Sequence, residues 1–277
     1  MKRTVIAYVA ALLTVVPSFS RTGVVVAHYG SSNDATRELT INKITGEINE
    51  AVGNAAIVRE AYISPVVRQN LSRRGLVAMS PTDAMLSLRA EGVDTLIVQP
   101  SLIIDGGEME EVTRAVDEVR SFFEKVEVGR PLCYTPSDFE KVVDILAAED
   151  SDGADAIIFV GHGNELPSTA TYTQLDYMLA DRGLTGMHVS TIEGYPTAET
   201  TARQLRRESK RMKKVKLVPF LLVCGNHTLH DIAGEYSDSL RELGFEPEVL
   251  KRGLAELPAI RKIYTERVLN MLGHSPK

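Results

Sequence analysis

The sequence has no tryptophan, only two cysteines and no surplus of basic residues. Cys133 and Cys224 cannot build a disulfide framework, and they do not form a Cys-x-x-Cys pair. The 37 acidic residues outnumber the 31 basic ones, which disfavours a nucleic-acid-binding protein because such proteins usually present a dominant basic face. The chain also lacks GxGxxG, GxxxxGK[ST] and GxSxG stretches, so neither a nucleotide cradle nor a serine nucleophile elbow is indicated.

The N-terminus has the pattern of a secretory signal. Two basic residues precede an apolar run over residues 5–16, and Pro17 and small residues then lead to Ser20. This run is short for a membrane span, and the small residues predict cleavage after Ser20. We expect a signal peptide over residues 1–20 and a periplasmic mature chain without stable membrane insertion. An uncleaved anchor and a buried N-terminal element of a cytoplasmic protein are the competing interpretations.

From Gly23 onward, short apolar strands alternate with longer amphipathic segments. Segments such as SPTDAMLSLRAEG (80–92) begin with helix-capping residues and stop at glycine. Continuous apolar runs are typical of strands buried on both faces of a parallel sheet, and here they include GVVVAHYG (23–30), DTLIVQPS (94–101) and DAIIFVGHGN (155–164). The pattern predicts an α/β protein with mainly parallel sheets flanked by helices.

The second half of the chain repeats the plan of the first. Each half opens with an apolar strand that ends in a His/Gly turn, VVVAHYGS in one and IIFVGHGN in the other. We therefore predict two similar domains, over residues 21–150 and 151–277. Within them, we expect one continuous helix over residues 35–52 and one long strand over residues 214–227.

Three consecutive strands of the second half lead to metal-binding side chains: His162, Glu193 and His227. Because ligands bind beyond the carboxyl ends of parallel strands, we expect these three to converge. Two imidazoles and one carboxylate suit a divalent transition metal and leave coordination positions open. Each residue also has a structural alternative, as a hydrogen-bonded turn histidine or a helix-capping glutamate. His230, one helical turn beyond His227, could add a fourth ligand or a proton relay.

Glycine flanks each of these residues, at Gly161, Gly163, Gly194 and Gly225. Backbone without side chains allows a bulky ligand to approach closely. We therefore expect the site to accept a flat, rigid molecule. A basic stretch follows at residues 203–216, and we interpret it as a solvated helix face, with contact to an anionic partner as the alternative.

Together, these segments resemble the class II tetrapyrrole chelatases, specifically the anaerobic sirohydrochlorin cobaltochelatases. The resemblance covers residues 22–270 and rests on the segments FVGHGN, YTQLDYML, VSTIEGYPT, KLVPFLLVCGNHTLHDIAGE, VVVAHYGSS and SPTDAMLSLRAEGVDTLIVQPSL. It implies a chelatase-like fold of two similar α/β domains with the tetrapyrrole in the cleft between them. It also implies that His162, Glu193 and His227 are the metal ligands and that no organic cofactor is needed.

The activity implied by the resemblance is that of a lyase of cobalamin biosynthesis, which inserts cobalt(II) into sirohydrochlorin and releases both pyrrole protons. We expect His162 and Glu193 to face the macrocycle and take the protons, and His227 to help hold the ion. Arg203 and Arg206 are expected to help bind the acidic rim of the substrate. The same ligands also suit iron or nickel.

Two positions depart from the family pattern. Asn226 stands where relatives often have aspartate, which removes a negative charge beside the predicted metal ligand His227. Leu102 stands where some exported relatives have a haem-binding histidine, which argues against haem binding by that route. Since cobalamin assembly is cytoplasmic, export leaves open a periplasmic tetrapyrrole-, haem- or metal-binding protein, or an iron chelatase, on the same scaffold. The sequence is also compatible with a homo-oligomer.

Overall fold

The computed structural model describes residues 20–225 and 230–273, which form two four-stranded, wholly parallel sheets. The first sheet has the order β2-β1-β3-β4, with β1 (Thr22–His28), β2 (Ile57–Tyr62), β3 (Thr95–Ser101) and β4 (Lys125–Val128). The second has the order β6-β5-β7-β8, with β5 (Ala156–Gly161), β6 (Met187–Thr191), β7 (Lys214–Pro219) and β8 (Glu246–Val249). The predicted parallel α/β class is confirmed, and both sheets have the same strand order.

Helices connect the strands, as parallel pairing requires. In chain order they are α1 (Asp34–Leu39), α2 (Ile41–Val52), α3 (Pro65–Ser72), α4 (Pro81–Ala90), α5 (Gly107–Val119), α6 (Pro136–Ala147), α7 (Ala170–Asp181), α8 (Ala198–Glu208), α9 (Ser237–Glu242) and α10 (Pro258–Met271). Ser80 and Thr135 cap α4 and α6 in reciprocal capping boxes with Asp83 and Asp138. A π-helical turn over Ile232–Tyr236 precedes α9.

Two predicted elements are wrong in extent. The helix expected over residues 35–52 is broken at Thr40, whose φ of −125° and ψ of −95° are not helical. The strand expected over residues 214–227 ends at Pro219. Beyond it, the Leu221 carbonyl accepts a 2.7 Å hydrogen bond from the Leu254 amide, so the chain turns towards its C-terminal segment. The apolar run continues past the strand because the residues after it remain in the core.

The largest apolar cluster joins the two halves of the chain. It contains Val24 from β1, Val218 from β7 and the fully buried Tyr264 from α10. Helix α10 packs against α2 and β3, and the Tyr264 hydroxyl donates a 2.8 Å hydrogen bond to the Leu102 carbonyl. The last helix therefore holds the second half of the chain to the first. The domain boundary at residue 150 stays a prediction.

The predicted signal peptide lies outside the described residues, apart from Ser20. The Ser20 hydroxyl donates a 2.6 Å hydrogen bond to Asp94, just before β3. Among residues 20–225 and 230–273, no helix has the length and apolar character needed to cross a bilayer.

Candidate metal site

His162 directly follows β5, and its backbone is tied to the turn that follows β6. The His162 carbonyl accepts a 2.7 Å hydrogen bond from the Glu193 amide, and the Gly161 carbonyl accepts one of 3.0 Å from Ile192. These two bonds extend the β5–β6 ladder beyond the strands themselves. As a result, His162 and Glu193 emerge side by side at the carboxyl edge of the second sheet.

The two side chains face solvent and lie close together. His162 Nδ1 is 3.9 Å from Glu193 Oε2, and the side chains are 56% and 65% exposed. Nδ1 also lies 3.1 Å from the Gly163 carbonyl oxygen. Because metal–ligand bonds of about 2 Å place neighbouring ligand atoms roughly 3 Å apart, a small side-chain rotation lets both groups bind one ion. The geometry therefore allows the pair to supply two ligands to one ion.

The third predicted ligand, His227, lies outside the described residues, as does Asn226. Strand β7 lies beside β5, and the Phe220 amide donates a 2.8 Å hydrogen bond to the Val160 carbonyl. The segment that leads to His227 thus leaves the sheet at the edge that carries His162. In residues 20–225 and 230–273, no group of three His, Cys, Asp or Glu side chains is placed to hold a metal. His230 is exposed, and its role as a ligand stays a prediction.

The glycines beside His162 and Glu193 are needed for a reason that differs from our prediction. A Cβ on Gly163, whose φ is +81°, would lie 1.4 Å from the Glu193 carbonyl oxygen. A Cβ on Gly161 would lie 2.1 Å from the Tyr172 ring, and one on Gly194 would lie 2.8 Å from the Asn164 carbonyl oxygen. Protein atoms fill these three spaces, so the idea that they admit a flat ligand is wrong. Among the described residues, no atom lies within 4 Å of a Cβ built on Gly225.

Of the two arginines predicted to contact the substrate, Arg206 has a structural role. Its guanidinium donates to the carbonyls of Lys210, Met212, Leu243 and Gly244 at 3.1–3.3 Å. It also lies 4.2 Å from the centre of the Phe245 ring. Arg203 is exposed and donates to Thr200 on its own helix. Arg203 is therefore the more exposed of the two, and Arg206 is held by backbone carbonyls.

The His/Gly turn of the first half has no equivalent site. His28 is the last residue of β1 and is fully buried. Its Nδ1 lies 2.5 Å from the Ser101 hydroxyl, and its Nε2 lies 2.8 Å from the Thr45 hydroxyl and 3.4 Å from Glu60. His162 comes one position later, after its strand has ended, so its side chain points elsewhere. The similarity of the two motifs in sequence does not extend to their chemistry.

Sequence reasoning missed Tyr172, which lies beneath the His162 turn. It is 3% exposed and occupies the space beside Gly161. The available signal was an aromatic residue in the first turn of the helix that follows the GHG motif. Leu102, in contrast, is only 8% exposed and belongs to the apolar core of the first half.

The chain is thus a parallel α/β protein with a histidine and a glutamate close together at the carboxyl edge of one sheet. More specifically, the chain belongs to the cobalt chelatase (CbiK) family, whose profile matches residues 22–272.

Relatives cover nearly the whole chain. The sirohydrochlorin cobaltochelatase of Salmonella typhimurium is 27% identical over 255 residues, which are 89% of this chain and 96% of that protein. The sirohydrochlorin cobaltochelatase CbiKC of Nitratidesulfovibrio vulgaris is 27% identical over 258 residues, 90% of each chain. Each of these two alignments therefore includes residues from both halves of the chain.

Solved structures show the same fold. SirB from Bacillus subtilis with Fe³⁺ has a TM-score of 0.63 at 13% identity, covering 91% of this chain and 96% of that chain. DR2241 from Deinococcus radiodurans, a multi-domain protein, has a TM-score of 0.59 at 16% identity, covering 94% of this chain and 56% of that chain. At these identities the likeness concerns the fold alone, and it confirms the chelatase-like architecture.

Proposed function

We propose that this protein is a sirohydrochlorin cobaltochelatase, which inserts cobalt(II) into sirohydrochlorin and releases both pyrrole protons, as a step of cobalamin biosynthesis. The observation that carries the proposal is the approach of His162 and Glu193 to 3.9 Å on an exposed sheet edge. This pair lies in a chain of the cobalt chelatase family, and two relatives named for this reaction cover about nine-tenths of the chain.

The exposed pair suits metal insertion because the ion must be held and then given up. Two ligands that face solvent can bind a divalent ion while leaving positions open for the incoming macrocycle. Imidazole and carboxylate groups are also mainly unprotonated at neutral pH, so they can take up the protons that the macrocycle releases. In this proposal His162 and Glu193 face the macrocycle and accept protons, and His227 completes the metal site. Iron or nickel could bind the same donor set, so cobalt is supported by the family rather than by the ligands.

The proposal is tested by His162→Ala in an anaerobic assay with sirohydrochlorin and Co²⁺, following the absorption spectrum of the macrocycle. Wild-type protein should complete many turnovers per molecule, and the variant should lose on the order of 100-fold or more. Because the His162 side chain is 56% exposed, the variant should fold normally, which circular dichroism and thermal unfolding would check. Wild-type turnover in the folded variant would refute the assignment.

The apolar N-terminal segment supports a second candidate, a periplasmic tetrapyrrole- or metal-binding protein on the same scaffold. The assay separates the two, since a carrier gives a stoichiometric spectral change and then stops. The proposed periplasmic location is tested by fractionating cells and sequencing the mature N-terminus. Cleavage after Ser20 should leave Arg21 as the first residue, whereas an intact N-terminus in the cytoplasmic fraction would refute export.

A further inference from the structure

The underside of the turn that carries His162 is formed by the side chain of Tyr172, in the first turn of α7. Tyr172 is 3% exposed, so it is shielded from solvent. Its ring lies directly against Gly161, because a Cβ there would be 2.1 Å from Tyr172 Cε1 and 2.8 Å from Cδ1. The ring can occupy this place only because residue 161 has no side chain.

The Tyr172 side chain carries no charge at this turn. Burial raises the pKa of Tyr172 to about 12, and a hydrogen bond with the backbone of Gly163 acts in the opposite direction. The phenol therefore stays neutral at physiological pH. Its ring supports Gly161, the residue that precedes His162.

Tyr172 is itself held in place by the strand that leads towards the third predicted ligand. The ring of Phe220, which is fully buried, meets the Tyr172 ring edge-on at 6.2 Å between centroids and 80° between planes. Phe220 directly follows β7, and its amide is bonded to Val160 in β5. The Tyr172 ring therefore cannot swing away from the turn without disturbing the core.

The backbone of His162 is consequently fixed from two directions. Glu193 holds the His162 carbonyl through a 2.7 Å hydrogen bond, and the Tyr172 ring lies against Gly161 from below. We infer that Tyr172 is a positioning residue, which sets the place from which the His162 imidazole meets Glu193 on a bound metal ion. It acts through His162 and touches neither metal nor macrocycle. The inference rests on the proposed role of His162 as a metal ligand.

The test compares Tyr172→Phe, which keeps the ring and removes the hydroxyl, with Tyr172→Met, which removes the flat ring but keeps much of its volume. Tyr177→Phe is the matched control, because Tyr177 lies on the same helix and is 68% exposed. For each protein, one would measure the Kd for Co²⁺, the visible d–d spectrum of bound Co²⁺, thermal unfolding, and KM for each substrate.

Tyr172→Met should raise the Kd for Co²⁺ roughly 10-fold and alter the d–d spectrum, since groups that orient metal ligands typically have effects of this size. Tyr172→Phe keeps the ring against Gly161 and should bind Co²⁺ like the wild type, and KM for sirohydrochlorin should not change in either variant. Tyr177→Phe should match the wild type in every measurement.

A lower unfolding temperature of Tyr172→Met with wild-type Co²⁺ affinity and spectrum would show that Tyr172 only packs, and the inference would fail. Failure of the proposed function would look different. In that case the wild type and His162→Ala would bind Co²⁺ equally, whatever the Tyr172 variants did. Loss of Co²⁺ affinity in His162→Ala together with unchanged affinity in Tyr172→Met would overturn the inference alone.

Discussion

The amide of Glu193 donates a 2.7 Å hydrogen bond to the carbonyl of His162, so the two predicted metal ligands share one backbone contact. Their side chains leave this contact in the same direction and reach 3.9 Å between Nδ1 and Oε2. The geometry of the site is therefore set by the backbone of two turns, while the side chains remain exposed. Changes to the turns should affect activity as strongly as changes to the ligands.

Gly163→Ala should disrupt the site, because the added Cβ would lie 1.4 Å from the Glu193 carbonyl oxygen. Gly153→Ala is a matched control, since Gly153 has a similar φ of +84° and no atom of a described residue lies within 4 Å of the added Cβ. The Gly153→Ala variant should lose about 1 kcal/mol of unfolding free energy, because alanine disfavours the left-handed backbone region. Its activity should be normal. Gly163→Ala should be less stable and should lose both cobalt binding and insertion. Equal behaviour of the two variants in denaturation and activity assays would contradict this account of the turn.

Glu193→Gln keeps the shape of the side chain and removes its charge and its capacity to take a proton. Insertion should fall by roughly 100-fold or more, as expected when a general base is lost. Because the Glu193 side chain is 65% exposed, unfolding free energy should hardly change. Glu165→Gln, an exposed neighbour on the His162 loop, should insert cobalt at the wild-type rate. Single-turnover kinetics at saturating Co²⁺ would separate weak metal binding from slow proton removal.

Asp138 should stabilise the protein in a pH-dependent way. Burial alone would raise the pKa of Asp138, but hydrogen bonds from Thr135 and Arg267 outweigh it and hold the pKa below the ordinary 3.8. The carboxylate joins α6 to α10 through a 2.9 Å ion pair with Arg267. Since the folded-state pKa is lowered, this stabilisation is complete above the unfolded-state pKa and is lost as the pH falls through the folded-state value.

Asp138→Asn should therefore cost about 3 kcal/mol near pH 7, as expected for breaking a buried ion pair, and progressively less below pH values of about 4. Urea denaturation at a series of pH values would measure this dependence. Asp144→Asn is the control, because the Asp144 side chain is 67% exposed in its pair with Arg182 and should contribute less than about 1 kcal/mol. If the difference in unfolding free energy between Asp138→Asn and the wild type does not become smaller in acid, the ion pair is not its source.

Arg206→Met should lower stability and leave substrate binding intact. The guanidinium donates to four backbone carbonyls and lies over Phe245, so its loss should cost on the order of 2 kcal/mol. Arg207→Met, one exposed position further along α8, should melt like the wild type. An increase in KM for sirohydrochlorin without loss of stability would contradict this structural role. It would support the prediction that Arg206 contacts the acidic rim of the substrate.

Much of the fold was predictable because its signals are local. Apolar runs marked strands such as β1, β3 and β5, and capping residues such as Ser80 marked helix starts. Strand β4 and helix α3 were not predicted, since both are short and lack strong patterns. The strand expected over residues 214–227 was too long because an apolar run indicates burial rather than strand structure: Phe220 and Leu222 are buried although the strand ends at Pro219.

The sequence by itself determined the class of the fold and the candidate ligands, since His162 and Glu193 follow recognisable strands and carry metal-binding groups. Only the tertiary structure decided that His28 is buried and His162 exposed, because that depends on where each strand ends and which side chains surround it. The tertiary structure also shows why residue 163 must be glycine. The carbonyl of Glu193, thirty positions along the chain, leaves no room for a Cβ at residue 163. Such contacts between distant residues leave no local pattern, so the folded chain alone reveals them.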